Sequence, residues 1–392
     1  MSSNKEMPAT IRQGTPEDVE PILNLLTEYE LPRSYFEPFY LNDSSYRPEQ
    51  SWVVEQHGRL LSHLRIYDRW IRVGQAKMHI AGIGNVITAQ DARGQGYSGQ
   101  IMRAMLPVLQ LEGYAYSLLW THIPQLYARY GWAPIEQDLV RAVLPVDVEN
   151  SARIAPLQAG DLPAVMRLYE AANAERTGTA VRTPEYWQEQ STWLQETPEH
   201  FLVAHDNMTD AIIGYVRGRV MEQAVEILEL AVEGGSFDIG RELLAAISMQ
   251  RGGQLQGQFP PSLRAVFLPG EADTLPESGL MGRAINLAEL LRVLEPLWRE
   301  RLRAASGCEG ALILSTSAGR AEVRIQNEEI QVSELPAAQT PEATPSLDEG
   351  AFAHLLFHGC DERAGRIDVV GIPCLRVLFP EQDFVIWSAD AF

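Results

Sequence analysis

The sequence predicts an α/β chain assembled from two related strand–helix units and a third, different unit, and three observations carry that expectation. The first is length: 392 residues, 45% of them hydrophobic, exceed the roughly 250 to 300 that one core sustains, so two or three domains are expected. The second is an internal repeat. Ile11 to Leu25 aligns without gaps with Ile154 to Leu168 at an offset of 143 residues, pairing Asp18 with Asp161, Val19 with Leu162 and Ile22 with Val165. The third is a change of pattern near residue 285, where INLAELLRVLEPLWRERLRAA (285–305) reads as a long helix and the runs ALILST, AEVRIQ and EEIQVSEL after it read as strands.

Taken in order, each copy of the repeat opens with a short strand, a polar loop and a helix start. In the first copy Val19, Ile22, Leu23 and Leu26 recur at helical spacing, and Thr15, Pro16 and Asp18 supply an N-cap, a first-turn proline and an acidic third position. SWVVEQ (51–56), LLSHLRIYD (60–68) and Met78 to Thr88 read as strands. From Tyr97 to Glu112, Ile101, Met102, Met105, Val108 and Leu109 mark one face of an amphipathic helix. SLLW (117–120) is a further strand and LVRAVLPV (139–146) is expected to close the first domain, with VENSAR (147–153 with its flank) as linker. The expected domains are 1–150, 151–283 and 284–392. PAAQTPEATPS (336–346) is a loop rich in proline, alanine and threonine.

Composition excludes more than it assigns. A net charge of −20 leaves no broad basic surface for a phosphate backbone, so nucleic acid is not an expected partner. MSSNKEMPAT at the start has no apolar signal core, and no stretch approaches the ~18 apolar residues of a membrane span, so a cytoplasmic protein without a membrane partner is expected. Cys308, Cys360 and Cys374 are odd in number and scattered, which favours reduced thiols over a disulfide framework. His354 and His358 lie four apart on a helix with Cys360 close behind, but a fourth ligand is not evident and no metal site is read there.

The segment that carries chemistry runs from Asn85 to Ser98. A strand containing Val86, Ile87 and Thr88 feeds through Arg93-Gly94-Gln95-Gly96 into the helix that begins with Tyr97 and Ser98. Such a loop aims backbone N–H groups and the positive end of a helix dipole at one spot, which suits a pyrophosphate. Gly94 and Gly96 allow close backbone approach, and Arg93 adds fixed charge. These residues resemble the coenzyme A signature of the GNAT acetyltransferases, Arg/Gln-x-x-Gly-x-Gly/Ala, with Arg93, Gly96 and Ser98 in the defining places and Ser98 the one departure. The resemblance implies mixed, mostly antiparallel sheets flanked by helices, acetyl-CoA as cosubstrate, and pairing of the strand 86–88 with the pantetheine arm. The 143-residue offset places Ser236-Phe237-Asp238-Ile239 where the first copy has its loop, so the second copy is read as degenerate and without cofactor.

After the strand ending at Trp120 comes Leu126-Tyr127-Ala128-Arg129-Tyr130-Gly131-Trp132. The family resemblance assigns Tyr127 as the general acid that protonates the departing thiolate, and His122 is a candidate for lining the channel. The layout as a whole is similar to the enhanced-intracellular-survival (Eis) type of N-acetyltransferase: a catalytic GNAT domain, a degenerate GNAT-like domain and a sterol-carrier-protein-like C-terminal domain. That resemblance implies a hexamer, a cationic amine acceptor such as an aminoglycoside or polyamine, and a catalytic part for the carboxylate of Phe392. Tyr29, Tyr35, Phe36, Phe39 and Tyr40 lie in the region where that family shapes its acceptor pocket, and read either as an aromatic wall for an amine or as a cap over the core. Two alternatives stay open: a carrier of apolar ligands on a GNAT scaffold, and an acetyltransferase acting on protein lysines or N-termini.

Overall fold

The computed structural model describes residues 8–145, 151–194, 197, 200–305, 308–327, 329–336, 346–361 and 374–392. Residues 147–150 of the expected linker, Glu328 and the part of the proline-rich loop at 337–345 lie outside the described residues.

In chain order the first part contains β1 (Thr10–Gln13), α1 (Val19–Leu26), α2 (Arg33–Leu41), β2 (Ser51–Gln56), β3 (Arg59–Val73), β4 (Ala76–Thr88), α3 (Tyr97–Leu111), β5 (Tyr116–Trp120), α4 (Pro124–Ala128), β6 (Ala133–Pro134) and β7 (Gln137–Val143). The second contains β8 (Ala152–Pro156), α5 (Leu162–Asn173), α6 (Pro184–Trp193), β9 (Phe201–Asp206), β10 (Ile212–Val220), β11 (Val225–Val232), α7 (Phe237–Ser248), β12 (Gln254–Gly257), β13 (Ala272–Glu277) and β14 (Leu280–Ala284). The third contains α8 (Leu287–Ala304), β15 (Gly310–Thr316), β16 (Gly319–Gln326), β17 (Glu329–Glu334), β18 (Ser346–Leu347), α9 (Glu349–Phe357) and α10 (Leu375–Leu378).

The two copies have one topology. The first sheet runs β1-β2-β3-β4-β5-β14-β6 and the second, read in the same sense, β8-β9-β10-β11-β12-β7-β13. In each, antiparallel neighbours lead to a single parallel pair, β4 with β5 and β11 with β12, so both sheets are mixed and mostly antiparallel as expected. One expectation is corrected. The run at 139–146 does not close the first domain: β7 pairs with β12 (Val140↔Gly257) and β13 in the second sheet, and β14 pairs with β5 (Met281↔Leu119) in the first. The copies thus exchange a strand. Period-2 alternation, which buries Val140, Ala142 and Leu144, specifies a half-buried strand but not its partner.

Three cores result. α1, α2 and α3 cover one face of the first sheet through Ile22, Leu26, Ile101, Met105 and their neighbours. The second copy has its own core. The third unit, with its sheet in the order β17-β16-β15-β18, packs α8 and α9 onto residues of the first sheet such as Ile80, Tyr116 and Leu118.

At the start of the first copy Thr15 sits at the N-cap position, and its N–H (2.8 Å) and hydroxyl (2.9 Å) both donate to Asp18 Oδ2. Arg12 grips the same carboxylate at 2.6 and 2.9 Å and is the main reason that its pKa falls to about 2. A second correction concerns the cysteines. Cys308 and Cys374, 66 residues apart, form a disulfide with a Cα–Cα distance of 5.5 Å, leaving Cys360 free. Spacing alone gave no sign of that pair. No helix among the described residues is long and apolar enough to cross a membrane.

Candidate active site

The site begins where two parallel strands part. β4 and β5 are paired from Ile80↔Tyr116 to Ile83↔Leu119, after which β4 runs on to Thr88 with no pairing to β5. The cause is a bulge in β4. His63↔Ile87 and Arg65↔Gly84 are successive registers against β3, so β4 carries one extra residue there, and Asn85 takes a left-handed φ of 52°. Asn85 Nδ2 donates to the hydroxyls of Tyr40 and Tyr67, each at 3.0 Å. Its carbonyl contacts His63 Nδ1 at 3.0 Å, while His63 Nε2 lies 3.2 Å from Ser51 Oγ.

Burial lowers the pKa of His63 to about 3; a neutral ring with its proton on Nδ1 satisfies both neighbours. The unfolded chain takes up that proton near pH 6.5 and the folded one does not. Stability contributed by the neutral ring is therefore fully present above about pH 6.5 and is lost as pH falls toward 3. Denaturant titrations of wild type and His63→Asn should differ by about 1.6 kcal/mol less at pH 5 than at pH 6.5. An unchanged difference would show that His63 does not titrate on unfolding.

Beyond the bulge the side chains of β4 turn to the protein and leave one edge of the strand toward the gap. Ile87 is buried, Thr88 Oγ1 lies 2.9 Å from Ser62 Oγ, and the Val86 carbonyl accepts from the Tyr29 hydroxyl at 2.6 Å. The loop 89–96 then reaches α3. Gly94 (φ 81°) and Gly96 (φ 75°) are both left-handed, and a Cβ on either would meet nothing within 4 Å. These glycines are needed for their backbone conformation, not for room. Arg93 Nε donates to the Thr88 carbonyl at 3.2 Å, and the side chain is otherwise exposed, with no hydrogen bond to its Nη groups among the described residues. Gln95 accepts from the Tyr97 hydroxyl at 2.9 Å, closing the loop on the first residue of α3. Ser98 is half-buried in the first turn of α3, and Gly99 behind it lies against the Tyr130 hydroxyl. The loop, its free cation and a helix start are thus brought to the open end of the cleft, a set that fits a pyrophosphate.

At the inner end, Tyr127 is buried on α4, its ring edge-on to Trp132 at 6.4 Å, and Trp132 Nε1 donates to Ser117 Oγ of β5 at 3.3 Å. Desolvation raises the Tyr127 pKa to about 12, so its hydroxyl stays protonated at neutral pH. Tyr29 is also held above the ordinary phenol range, chiefly by burial, with Tyr127 and Tyr67 adding to it. Phe392 comes from the far end of the chain. Its ring stacks on Tyr67 (5.6 Å), meets Trp120 edge-on (4.9 Å) and fills the space where a Cβ on Gly82 would stand, 2.6 Å from it. The Phe392 carboxyl carbon would be 3.2 Å from a Cβ on Gly84. His122 is exposed in the turn from β5 into α4, and no hydrogen bond or ring contact among the described residues joins it to the loop.

The aromatic stretch of α2 lies beside this inner end. Tyr35, Phe39, Tyr67 and Phe392 form a chain of ring contacts with centroids 5.6 to 6.4 Å apart, and Trp193 of the second copy adds to it at 6.3 Å from Phe39. Beneath it Arg65 is fully buried, 4.0 Å from the Tyr67 ring and 2.6 Å from Asp43. Sequence reasoning gave no role in the site to Gly82, Gly84, Asn85, Tyr67 or Trp120. An asparagine and two glycines within one strand pattern were the available signal, since such residues mark bulges and close approach.

The second copy lacks the loop, though not as the fixed offset suggested. Phe237, Asp238 and Ile239 belong to α7, and the connection is only Glu233-Gly234-Gly235-Ser236, four residues against eight. The histidines of the third unit are engaged elsewhere: His354 Nε2 lies 2.9 Å from Asp361, and His358 Nε2 2.8 Å from the Glu136 carbonyl. Among the described residues no group of three or more His, Cys, Asp or Glu is placed to hold a metal ion.

Residues 10–135 match the family described as acetyltransferase (GNAT) domain. The N-terminal part of the chain is thus similar to GNAT acetyltransferase domains, and the match supports an acyl-CoA-dependent N-acetyltransferase. Over the whole chain, solved structures share the fold. A conserved protein of unknown function from Enterococcus faecalis, described as a probable N-acyltransferase, is 16% identical with a TM-score of 0.72, covering 97% of each chain. A GCN5-related N-acetyltransferase from Kribbella flavida is 16% identical with a TM-score of 0.69 over 100% of both chains. Eis1 from Mycobacterium abscessus is 15% identical with a TM-score of 0.66, covering 98% of this chain and 100% of its own. No curated protein sequence matches the chain.

Proposed function

We propose that the protein transfers acetyl from acetyl-CoA directly to an amine of a cationic small molecule, an aminoglycoside or another polyamine, as an Eis-type enzyme. The observation that carries this reading is the cleft itself: strands parted by a bulge, a left-handed glycine loop and helix start at one end, and Tyr127 with Phe392 toward the other. Val86, Ile87 and Thr88 would offer backbone to the pantetheine arm, and Arg93 through Ser98 would hold the pyrophosphate. Bound acetyl-CoA supplies the activated thioester.

The residues of the chain then have distinct work. Tyr127, kept neutral by burial, donates its proton to the departing thiolate. An alkyl ammonium has a pKa near 10.4 and must lose a proton before it attacks, whereas a terminal carboxylate has one near 3.3 to 3.7. The Phe392 carboxylate therefore serves chiefly to attract and orient the ammonium, with proton removal through water. Rings from Tyr35 to Tyr67 give the acceptor an aromatic wall, and the net charge of −20 favours the approach of a cation. In this reading the domains are 1–150, 151–283 and 284–392 apart from the exchanged strands, the third being sterol-carrier-like, and the chain forms hexamers.

An acetyl-CoA consumption screen over aminoglycosides, polyamines and lysine-containing peptides tests the acceptor class. Turnover with peptides alone would move the function to protein acetylation, and no turnover with any amine would remove the catalytic reading. Because only the first copy has the eight-residue loop, calorimetry should count one acetyl-CoA per chain; a second site would contradict the assignment.

A further inference from the structure

The last nine residues cross from one copy of the fold to the other. Val385 and Trp387 belong to the core of the second copy. The Val385 N–H donates to the Thr177 carbonyl at 3.0 Å, and Trp387 Nε1 to Asn173 Oδ1 at 3.1 Å. The turn Ser388–Asp390 then packs against β11. β11 has parted from β12 after Ile227↔Gly257, as β4 parts from β5 in the first copy. The tail thus lies at the second copy's equivalent of the catalytic cleft before Phe392 enters the cleft of the first.

Asp390 is the point of attachment. Arg182 donates to it through Nε and Nη2, both at 2.8 Å, Tyr186 through its hydroxyl at 3.0 Å, and Gln190 through Nε2 at 3.1 Å. Gln190 Nε2 also reaches the Ala389 carbonyl at 2.6 Å. Arg182 in turn is bound by both oxygens of Glu229 on β11, which also accepts from the Tyr215 hydroxyl and has Arg217 at 4.0 Å. The side chains of Arg182 and Glu229 are 0% exposed and that of Asp390 4%. Two arginines and two carboxylates balance in a buried site, where removing one member leaves an uncompensated charge, so the site tolerates one position of the tail.

We propose that the second copy has become a clamp for the chain's own tail, in which Arg182, Glu229, Tyr186 and Gln190 are positioning residues that set Phe392 between Tyr67 and Trp120 at the inner end of the catalytic cleft. The placement stands on geometry alone; its effect on turnover rests on the function proposed above.

Fluorine NMR of protein labelled with 5-fluorotryptophan separates the two. The chain has eight tryptophans, and the resonance of Trp120 is assigned with Trp120→Phe. Phe392→Ala should shift it by removing the ring edge-on to Trp120. Asp390→Asn, and Tyr186→Phe from the side of the second copy, should shift or broaden the same resonance. Acetyl-CoA affinity should stay within about twofold while kcat falls by roughly 10- to 100-fold. Neither substitution should lower kcat further in a chain from which Phe392, ring and carboxylate together, has been deleted. Should Asp390→Asn not fold, Tyr186→Phe, which deletes one hydroxyl, carries both readouts. A Trp120 resonance that moves with Phe392→Ala but with neither clamp variant would overturn the proposal, as would a loss of turnover in the clamp variants that persists undiminished when Phe392 is deleted. Full turnover in the chain lacking Phe392, with Trp120 still responding to the clamp variants, would keep the clamp and remove Phe392 from catalysis.

Discussion

Tyr127→Phe is expected to lower kcat by about 10²- to 10⁴-fold, the usual contribution of a general acid, and to leave acetyl-CoA affinity nearly unchanged. The substitution deletes one oxygen and keeps the ring against Trp132, so thermal stability should change little. With a pKa of about 12, the wild-type hydroxyl remains a donor through neutral and mildly alkaline pH. Its ionisation should therefore contribute no fall in rate below about pH 11. Stopped-flow acetyl transfer across pH 6 to 10 checks both points. Wild-type turnover in Tyr127→Phe would leave the residue a packing group only.

Gly96→Glu should abolish acetyl-CoA binding in calorimetry, a loss of two orders of magnitude or more, while the domain stays folded by circular dichroism. Two separable effects add. The left-handed backbone at φ 75° disfavours any side chain by about 1–2 kcal/mol, and the carboxylate brings negative charge to the place proposed for the pyrophosphate. Gly96→Ala isolates the first effect, because its Cβ would enter open space; a loss of roughly 5- to 30-fold is expected from conformation alone. If Gly96→Glu binds like Gly96→Ala, charge at that position does not matter and the phosphate assignment is wrong.

What was legible in the sequence was local structure. The glycines of the loop, the helix behind them and the segment around Tyr127 are contiguous, and each has a short-range physical signature. The apolar run FVIW is likewise a short-range signal for burial, and Phe384, Val385, Ile386 and Trp387 are all buried. Where the tail docks was not legible, because Asp390 meets Arg182 and Tyr186 across about two hundred residues of chain. The same long range hid the Cys308–Cys374 bond. The repeat misled in one place: a connection four residues shorter in the second copy breaks any gapless alignment beyond β11, so the offset pointed into a helix instead of at the loop. Strand partners failed for a different reason, in that β7 has the alternation of a half-buried strand but sits in the other sheet.

That exchange of β7 and β14 bears on heredity as much as on architecture. A gene that doubled and then let each half lend a strand to the other can no longer shed either half. Deleting the second copy would withdraw β14 from beside β5, exposing an unpaired sheet edge next to the catalytic cleft. The second half is kept because its sibling cannot close its own sheet without it. The two copies can drift apart in chemistry, yet they are obliged to be inherited together.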